Sequence, residues 1–162
     1  MLRNQSAYRR LHSTESVLTV VFSDIIQALD SGGVVLLSLL DLSAAFDCVD
    51  HDILLARLRQ SYGFDSSVYD WLSSYLSERS QHVRCGRIST APQTIKYGVP
   101  QGSVLGSLLF VLYTADIGRI IQSHGLSSHF YADDTQTYIF AKPDNLDILR
   151  EATVSCIDEI AI

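Results

Sequence analysis

Tyr131-Ala132-Asp133-Asp134 places two adjacent carboxylates between two strand-forming runs. Ser128-His129-Phe130-Tyr131 comes before them and Thr135-Gln136-Thr137-Tyr138-Ile139-Phe140 after. Runs rich in Tyr, Phe, Thr and Ile favour extended backbone. The chain must therefore reverse at the acidic pair, which predicts a β-hairpin with carboxylates at its tip. Turn tips favour Asp on their own account. A two-residue hairpin turn, however, usually takes Asn-Gly or Asp-Gly, because Gly accepts positive φ, and no Gly is present here. Neighbouring like charges are also unfavourable unless a cation neutralises them, and Mg²⁺ takes carboxylate oxygens. A plain turn and a metal site both fit this motif.

Val34-Val35-Leu36-Leu37-Ser38-Leu39-Leu40 follows Gly32-Gly33 and ends on Asp41. The nearly continuous apolar run reads as a buried strand. An ionised Asp closing such a strand needs hydrogen bonds or a metal, unless it caps the Ser43-Ala44-Ala45 turn. Asp41, Asp133 and Asp134 together make three carboxylates at two strand ends. That set suits two Mg²⁺ ions in an in-line phosphoryl displacement. A third element, Gly98-Val99-Pro100-Gln101-Gly102-Ser103-Val104-Leu105-Gly106, reads as a tight turn with Ser103 capping an apolar helix. Glycines let backbone approach a ligand closely, and a helix N-terminus favours an anion.

The order of these elements resembles the reverse transcriptases of non-long-terminal-repeat retrotransposons. Leu40-Asp41-Leu42-Ser43-Ala44-Ala45-Phe46-Asp47 is similar to that family's first metal-binding motif. Gly98 to Phe110 is similar to its motif under the incoming nucleotide, and Phe130 to Asp134 to its paired-Asp motif. Tyr8 to Glu15 and Tyr75 to Val83 add two further matches, so the resemblance spans essentially the whole chain. It implies Asp41, Asp133 and Asp134 as catalytic ligands of two Mg²⁺ ions, with Mn²⁺ as a substitute. It implies that Phe46 stands against the sugar 2′ position, selecting deoxynucleotides, though Phe46 also reads as an ordinary core aromatic. Gln101 and Gly102 are implied beneath the template base and nucleotide. Ser107 stands where the family usually has Pro, which would fix φ in the first helical turn. The implied partners are an RNA template, a DNA primer and deoxynucleotides, in a longer chain.

Composition bounds this reading. The 162 residues suffice for about one domain with a real core, and 47% hydrophobic content excludes a disordered chain. No apolar run reaches about 18 residues uninterrupted, so no membrane helix is predicted; Val104 to Ala115 is the longest candidate. Cys48, Cys85 and Cys156 have no zinc spacing and read as reduced core thiols of an intracellular protein, nuclear or cytoplasmic. The acid-free first fourteen residues, with Arg3, Arg9 and Arg10, have transit-peptide composition. No amphipathic stripe precedes Ser13, so mitochondrial targeting is not predicted.

A net charge of -6 opposes nucleic-acid binding. Locally the balance differs: Arg79, Arg84, Arg87 and Lys96 fall in a stretch without acids. They form a candidate nucleic-acid-binding group, with a solvated face as the alternative. Much of the acid excess lies in the tail, at Asp144, Asp147, Glu151, Asp158 and Glu159.

Ser13 or Thr14 caps a predicted helix carrying Val17, Val20, Val21, Ile25, Ala28 and Leu29, ended by Gly32-Gly33. Asp50 caps a second through Ile53, Leu54 and Leu58, and a third carries Val68, Trp71, Leu72, Tyr75 and Leu76. Trp71 reads as core. A hairpin spans about Gln81 to Tyr97 with Gly86 near its turn. One helix runs from Ser103 to about Gln122, and another follows Pro143. Helices alternating with hairpins predict an α+β fold, an antiparallel sheet with helices on one face. The resemblance makes this a polymerase palm with incomplete fingers and thumb, one partial reverse transcriptase domain over residues 1–162. Asp47, Asp50, His51 and Asp52 could form a separate metal site, but helix capping accounts for them.

Three functions follow. The first is an RNA-directed DNA polymerase domain, inactive as an isolated 162-residue fragment. The second is a catalytically silent remnant that binds nucleic acid or a protein. The third is another two-metal phosphoryl transferase, in which Gly98 to Gly102 would have no evident role.

Overall fold

The computed structural model describes residues 4–42 and 44–161. Arg3 of the acid-free first fourteen residues and Ser43 of the first acidic motif lie outside the described residues. In chain order the elements are α1 (Thr14–Asp30), β1 (Val34–Leu40), α2 (His51–Gln60), α3 (Ser66–Leu76), β2 (Ser80–Gln81), β3 (Arg84–Cys85), β4 (Ile88–Ser89), β5 (Gln93–Thr94), α4 (Val104–Tyr113), α5 (Ile117–Ser123), β6 (Ser127–Tyr131), β7 (Asp134–Ala141) and, after a 3-10 turn at Pro143–Asn145, α6 (Leu146–Ile160). They form two compact units, one of residues 1–43 with 114–162 and one of residues 44–113.

The first unit is built on an antiparallel sheet of order β1-β7-β6. Alternation divides its side chains between two faces. On one face Tyr138 packs with Val17 and Val21 of α1, and Val35 lies against them. On the other, Phe130 packs with Ile121, Leu126 and Cys156, supplied by α5, the segment after it and α6. The expected antiparallel sheet with packed helices is therefore present, but helices cover both faces rather than one. The Tyr138 hydroxyl donates to the Asp24 carboxylate. Burial first, then this bond, pushes the phenol well above its ordinary range. Ser13 caps α1 as its sequence predicts, in a reciprocal pair with Ser16.

β1 is a strand, but not the buried one its apolar run suggests. Among the described residues it pairs with β7 alone, at the end of the sheet, and Leu37 and Leu39 are 42% and 72% exposed.

In the second unit α2 packs on both α3 and α4. Val49, Leu54, Leu58, Leu76, Leu109 and Phe110 are buried in it, each such side chain contributing about 1.5–3 kcal/mol. Asp50 Oδ1 accepts from Ile53 N at 3.0 Å and caps α2. The predicted hairpin appears as two short ladders, β2–β5 and β3–β4, closing at Gly86 (φ +60°).

Three expectations are corrected. The single helix from Ser103 to Gln122 is two, α4 and α5, separated at Thr114-Ala115-Asp116. By length and composition alone Val104–Ser123 could cross a membrane, but it is divided between α4 and α5, and Leu109, Phe110, Val111 and Ile121 are buried. Trp71 is 56% exposed, stacked on Tyr75 with ring centroids 6.0 Å apart. Of the three free thiols only Cys156 is buried; Cys48 and Cys85 are exposed.

Candidate active site

The β1–β7 register runs from Val34↔Ala141 to Leu40↔Thr135. The next residues along it are Asp41 and Asp134, which thus stand opposite one another at the end of the ladder. Residues opposed in this way have Cβ atoms about 4.5–5.5 Å apart. Both carboxylates line one shallow pocket of about 240 Å³ with Leu39, Leu40, Thr135 and Gln136. Asp133 occupies the two-residue turn between Tyr131 and Asp134, which are themselves paired. It is half-buried and does not line that pocket. The fold therefore brings Asp41 and Asp134 together and leaves Asp133, next to Asp134 in the chain, outside that pocket. Among the described residues no three metal-ligating side chains converge on one point.

Among the described residues no Lys, Arg or His lies within ion-pair distance of these three acids. Anionic oxygens, exposed at Asp41 and Asp134 and without a cationic partner, are the donor chemistry that a hard cation takes. The turn achieves its reversal without Gly: Ala132 adopts φ +56°, a region unfavourable for a residue with a Cβ.

In the second unit the glycine motif is fixed at both ends. Gly98 N donates to Val49 O at 2.7 Å and Val99 N to Phe46 O at 2.8 Å. Gly98 O accepts from Arg79 Nη1 and contacts His51 Nε2, each at 2.8 Å. A Cβ on Gly98 would meet Asp47 Cα at 3.0 Å. At the other end Ser103 Oγ accepts from Gly106 N at 2.9 Å and donates to Pro100 O at 2.7 Å. Ser103 thus caps α4 as its sequence predicts. Gln101 and Gly102 are left exposed at the tip. Phe46 is half-buried, its ring stacked on Phe110 with centroids 4.6 Å apart.

The basic group is not uniform. The Arg79 guanidinium holds Gly98 O, while Arg84, Arg87 and Lys96 are exposed. Asp50 and His51 are occupied by capping and by the Gly98 carbonyl, so capping and packing, not a separate metal site, account for them.

Residues 1–160 match the family described as reverse transcriptase (RNA-dependent DNA polymerase). The chain belongs to the reverse transcriptase family. It is 36% identical over 158 residues to the probable RNA-directed DNA polymerase from transposon BS of Drosophila melanogaster, a match covering 98% of this chain and 16% of that protein. To the RNA-directed DNA polymerase from mobile element jockey of the same species it is 30% identical, over 81% of this chain and 15% of that protein. These relatives agree with the non-long-terminal-repeat resemblance. The chain spans about a sixth of their length. Among solved structures, a chain of a partial Cas6-RT-Cas1–Cas2 complex shares 26% identity at a TM-score of 0.38, covering 81% of this chain and 21% of that one.

One residue near the acidic turn has no signal in the sequence. Gln5 is 1% exposed and bonds the backbone of Ala132. A lone Gln in a polar segment reads as surface. Only its pairing with β6 reveals its position.

Proposed function

We propose that this chain supplies the palm of an RNA-directed DNA polymerase acting with an RNA template, a DNA primer and deoxynucleotides. The observation that carries the reading is that Asp41 and Asp134, the residues just beyond the last rung of β1–β7, line one pocket, with Asp133 in the adjoining turn. These three carboxylates would hold two Mg²⁺ ions. Such ions activate a primer 3′-hydroxyl and neutralise charge on the transferred phosphoryl group.

The other residues position rather than react. Phe46, its ring braced by Phe110, would select against a sugar 2′-hydroxyl. Gln101 and Gly102 form the exposed tip of an anchored turn, suited to lie beneath a template base and nucleotide. Arg87 and Lys96, both exposed, and Arg84, whose Nε also donates to Gly86 O, would meet phosphates, a contribution that falls with salt.

The test embeds residues 1–162 in the flanking segments of the transposon BS polymerase. Incorporation of labelled deoxynucleotide on a poly-rA template with an oligo-dT primer is then measured. Synthesis that Asp41→Ala and Asp134→Ala each abolish supports the reading. Synthesis that survives either change refutes it.

A further inference from the structure

A buried amide is unfavourable unless its polar atoms are bonded, and all of Gln5's bonds go to backbone. Its Oε1 accepts from Ala7 N at 2.9 Å and from Ala132 N at 3.2 Å. Its Nε2 donates to Ala132 O at 3.3 Å. One side chain thus holds both polar backbone groups of a single residue. That residue is the one with φ +56°, a conformation that persists in a non-glycine only where surroundings over-determine it.

The anchor behind Gln5 is firm. Asn4 to Ser6 runs parallel along β6, with Phe130 N donating to Asn4 O at 2.9 Å and Ser6 N to Phe130 O at 3.0 Å. Asn4 Nδ2 donates to Ser128 O at 2.7 Å, and Arg9 Nη1 to Gln5 O at 3.2 Å. The strut therefore starts from the strand that leads into the turn and ends on the turn itself.

We propose that Gln5 is a positioning residue for the acidic turn: by clamping Ala132 it sets the direction in which Asp133 leaves the hairpin relative to Asp134 and Asp41. The inference rests on the reading of those carboxylates as metal ligands. Ala132 O belongs to the peptide plane that joins Ala132 to Asp133, and rotating that plane would redirect the Asp133 carboxylate.

The test uses Mn²⁺ as probe, with free ion counted by electron paramagnetic resonance on the 162-residue chain. Wild type, Gln5→Met, Gln5→Glu, Asp133→Asn and the double variant Gln5→Met/Asp133→Asn are compared at a temperature where melts show each folded. Gln5→Met has similar length and removes all three bonds. It should weaken Mn²⁺ binding about 10–100-fold, as loss of a supporting partner does at metal sites. In the Asp133→Asn background the same change should have little effect, because the side chain it directs no longer carries charge.

Gln5→Glu adds a readout that simple loss of packing would not move. Its carboxylate still accepts from Ala7 and Ala132, but donates to Ala132 O only when protonated. Its deficit against wild type at the same pH should therefore shrink as pH falls. Unchanged Mn²⁺ affinity in folded Gln5→Met, or equal losses in both backgrounds, overturns the proposal while the metal site stands. If Gln5→Met does not fold, wild-type affinity of Gln5→Glu at every pH overturns it instead. If wild type, Asp41→Asn and Asp134→Asn all bind Mn²⁺ alike, the metal reading itself fails and the role of Gln5 falls with it.

Discussion

Replacing Asp134 by Asn separates a metal site from a structural turn. The change keeps size and removes one charge from a residue facing Asp41 across the ladder. Two like charges about 6 Å apart in water repel by about 0.7 kcal/mol. Physiological salt, with a Debye length of about 8 Å, roughly halves that. Like charges directly opposed on strands are destabilising, which agrees in sign with the estimate. In EDTA, Asp134→Asn should therefore stabilise the protein by about 0.3–0.7 kcal/mol. For a chain of this size that is a rise in Tm of about 1–3 °C. Low salt should enlarge the gain and high salt erase it. Mg²⁺ should reverse the order, because ion at tenfold its Kd stabilises the wild type by about 1.4 kcal/mol and the variant by less. Thermal melts followed by circular dichroism, with EDTA and with Mg²⁺, measure both signs. A fall in Tm of several degrees in EDTA, insensitive to salt, would refute the reasoning and show that the carboxylate serves the turn.

Gly106→Ala puts a Cβ 2.4 Å from Pro100 O and 2.9 Å from Ser103 Oγ; overpacking of this kind costs about 1–3 kcal/mol, and the denaturation midpoint should fall accordingly. The 162-residue chain alone should show little or no primer extension at low salt. Its pocket of about 240 Å³ at the carboxylates is smaller than most ligand sites, and the net charge of -6 repels nucleic acid; Asp134-dependent synthesis by this chain would contradict that. Burial pushes the His129 imidazole below its ordinary 6.5, against a smaller opposing pull from Asp24. Above that value both folded and unfolded chains carry it neutral; below it the unfolded chain takes up the proton first. Its stabilising contribution is thus complete above pH 6.5 and declines as pH falls below it, a slope that His129→Gln should reduce in pH-dependent melts.

Local signals made much of the fold legible. Ser13 and Asp50 announce α1 and α2 because an N-cap is a property of a few adjacent residues. The hairpin at Asp133-Asp134 follows from strand propensity on either side. What failed was what depends on neighbours far along the chain. Val34 to Leu40 is apolar but for Ser38, and nothing in it says that β1 ends the sheet among the described residues. The helix-compatible run from Val104 breaks at Thr114-Ala115-Asp116 without a Gly or Pro there, so only the polar Thr114 and Asp116 warn of the division. Trp71 shows the same limit from the opposite direction, since a large aromatic at helical spacing does not declare whether anything covers it. At the site, the strand ends were enough to bring Asp41 opposite Asp134. The direction of Asp133 hangs on a positive φ at an alanine, for which no residue type gives notice.

The turn from Gly98 to Gly106 is tied down on both sides, leaving Gln101 and Gly102 as its unbound apex. A loop secured this way behaves as a prong rather than a flap, with few conformations to lose when a partner settles against it. The same anchoring makes it intolerant of length. One residue inserted between Gly98 and Ser103 would put the Phe46 and Val49 bonds out of step with the α4 cap. An insertion at the exposed Gly86 turn would disturb only a short ladder. Copies that drift in length should therefore do so at the hairpin and keep the span between these two anchors constant.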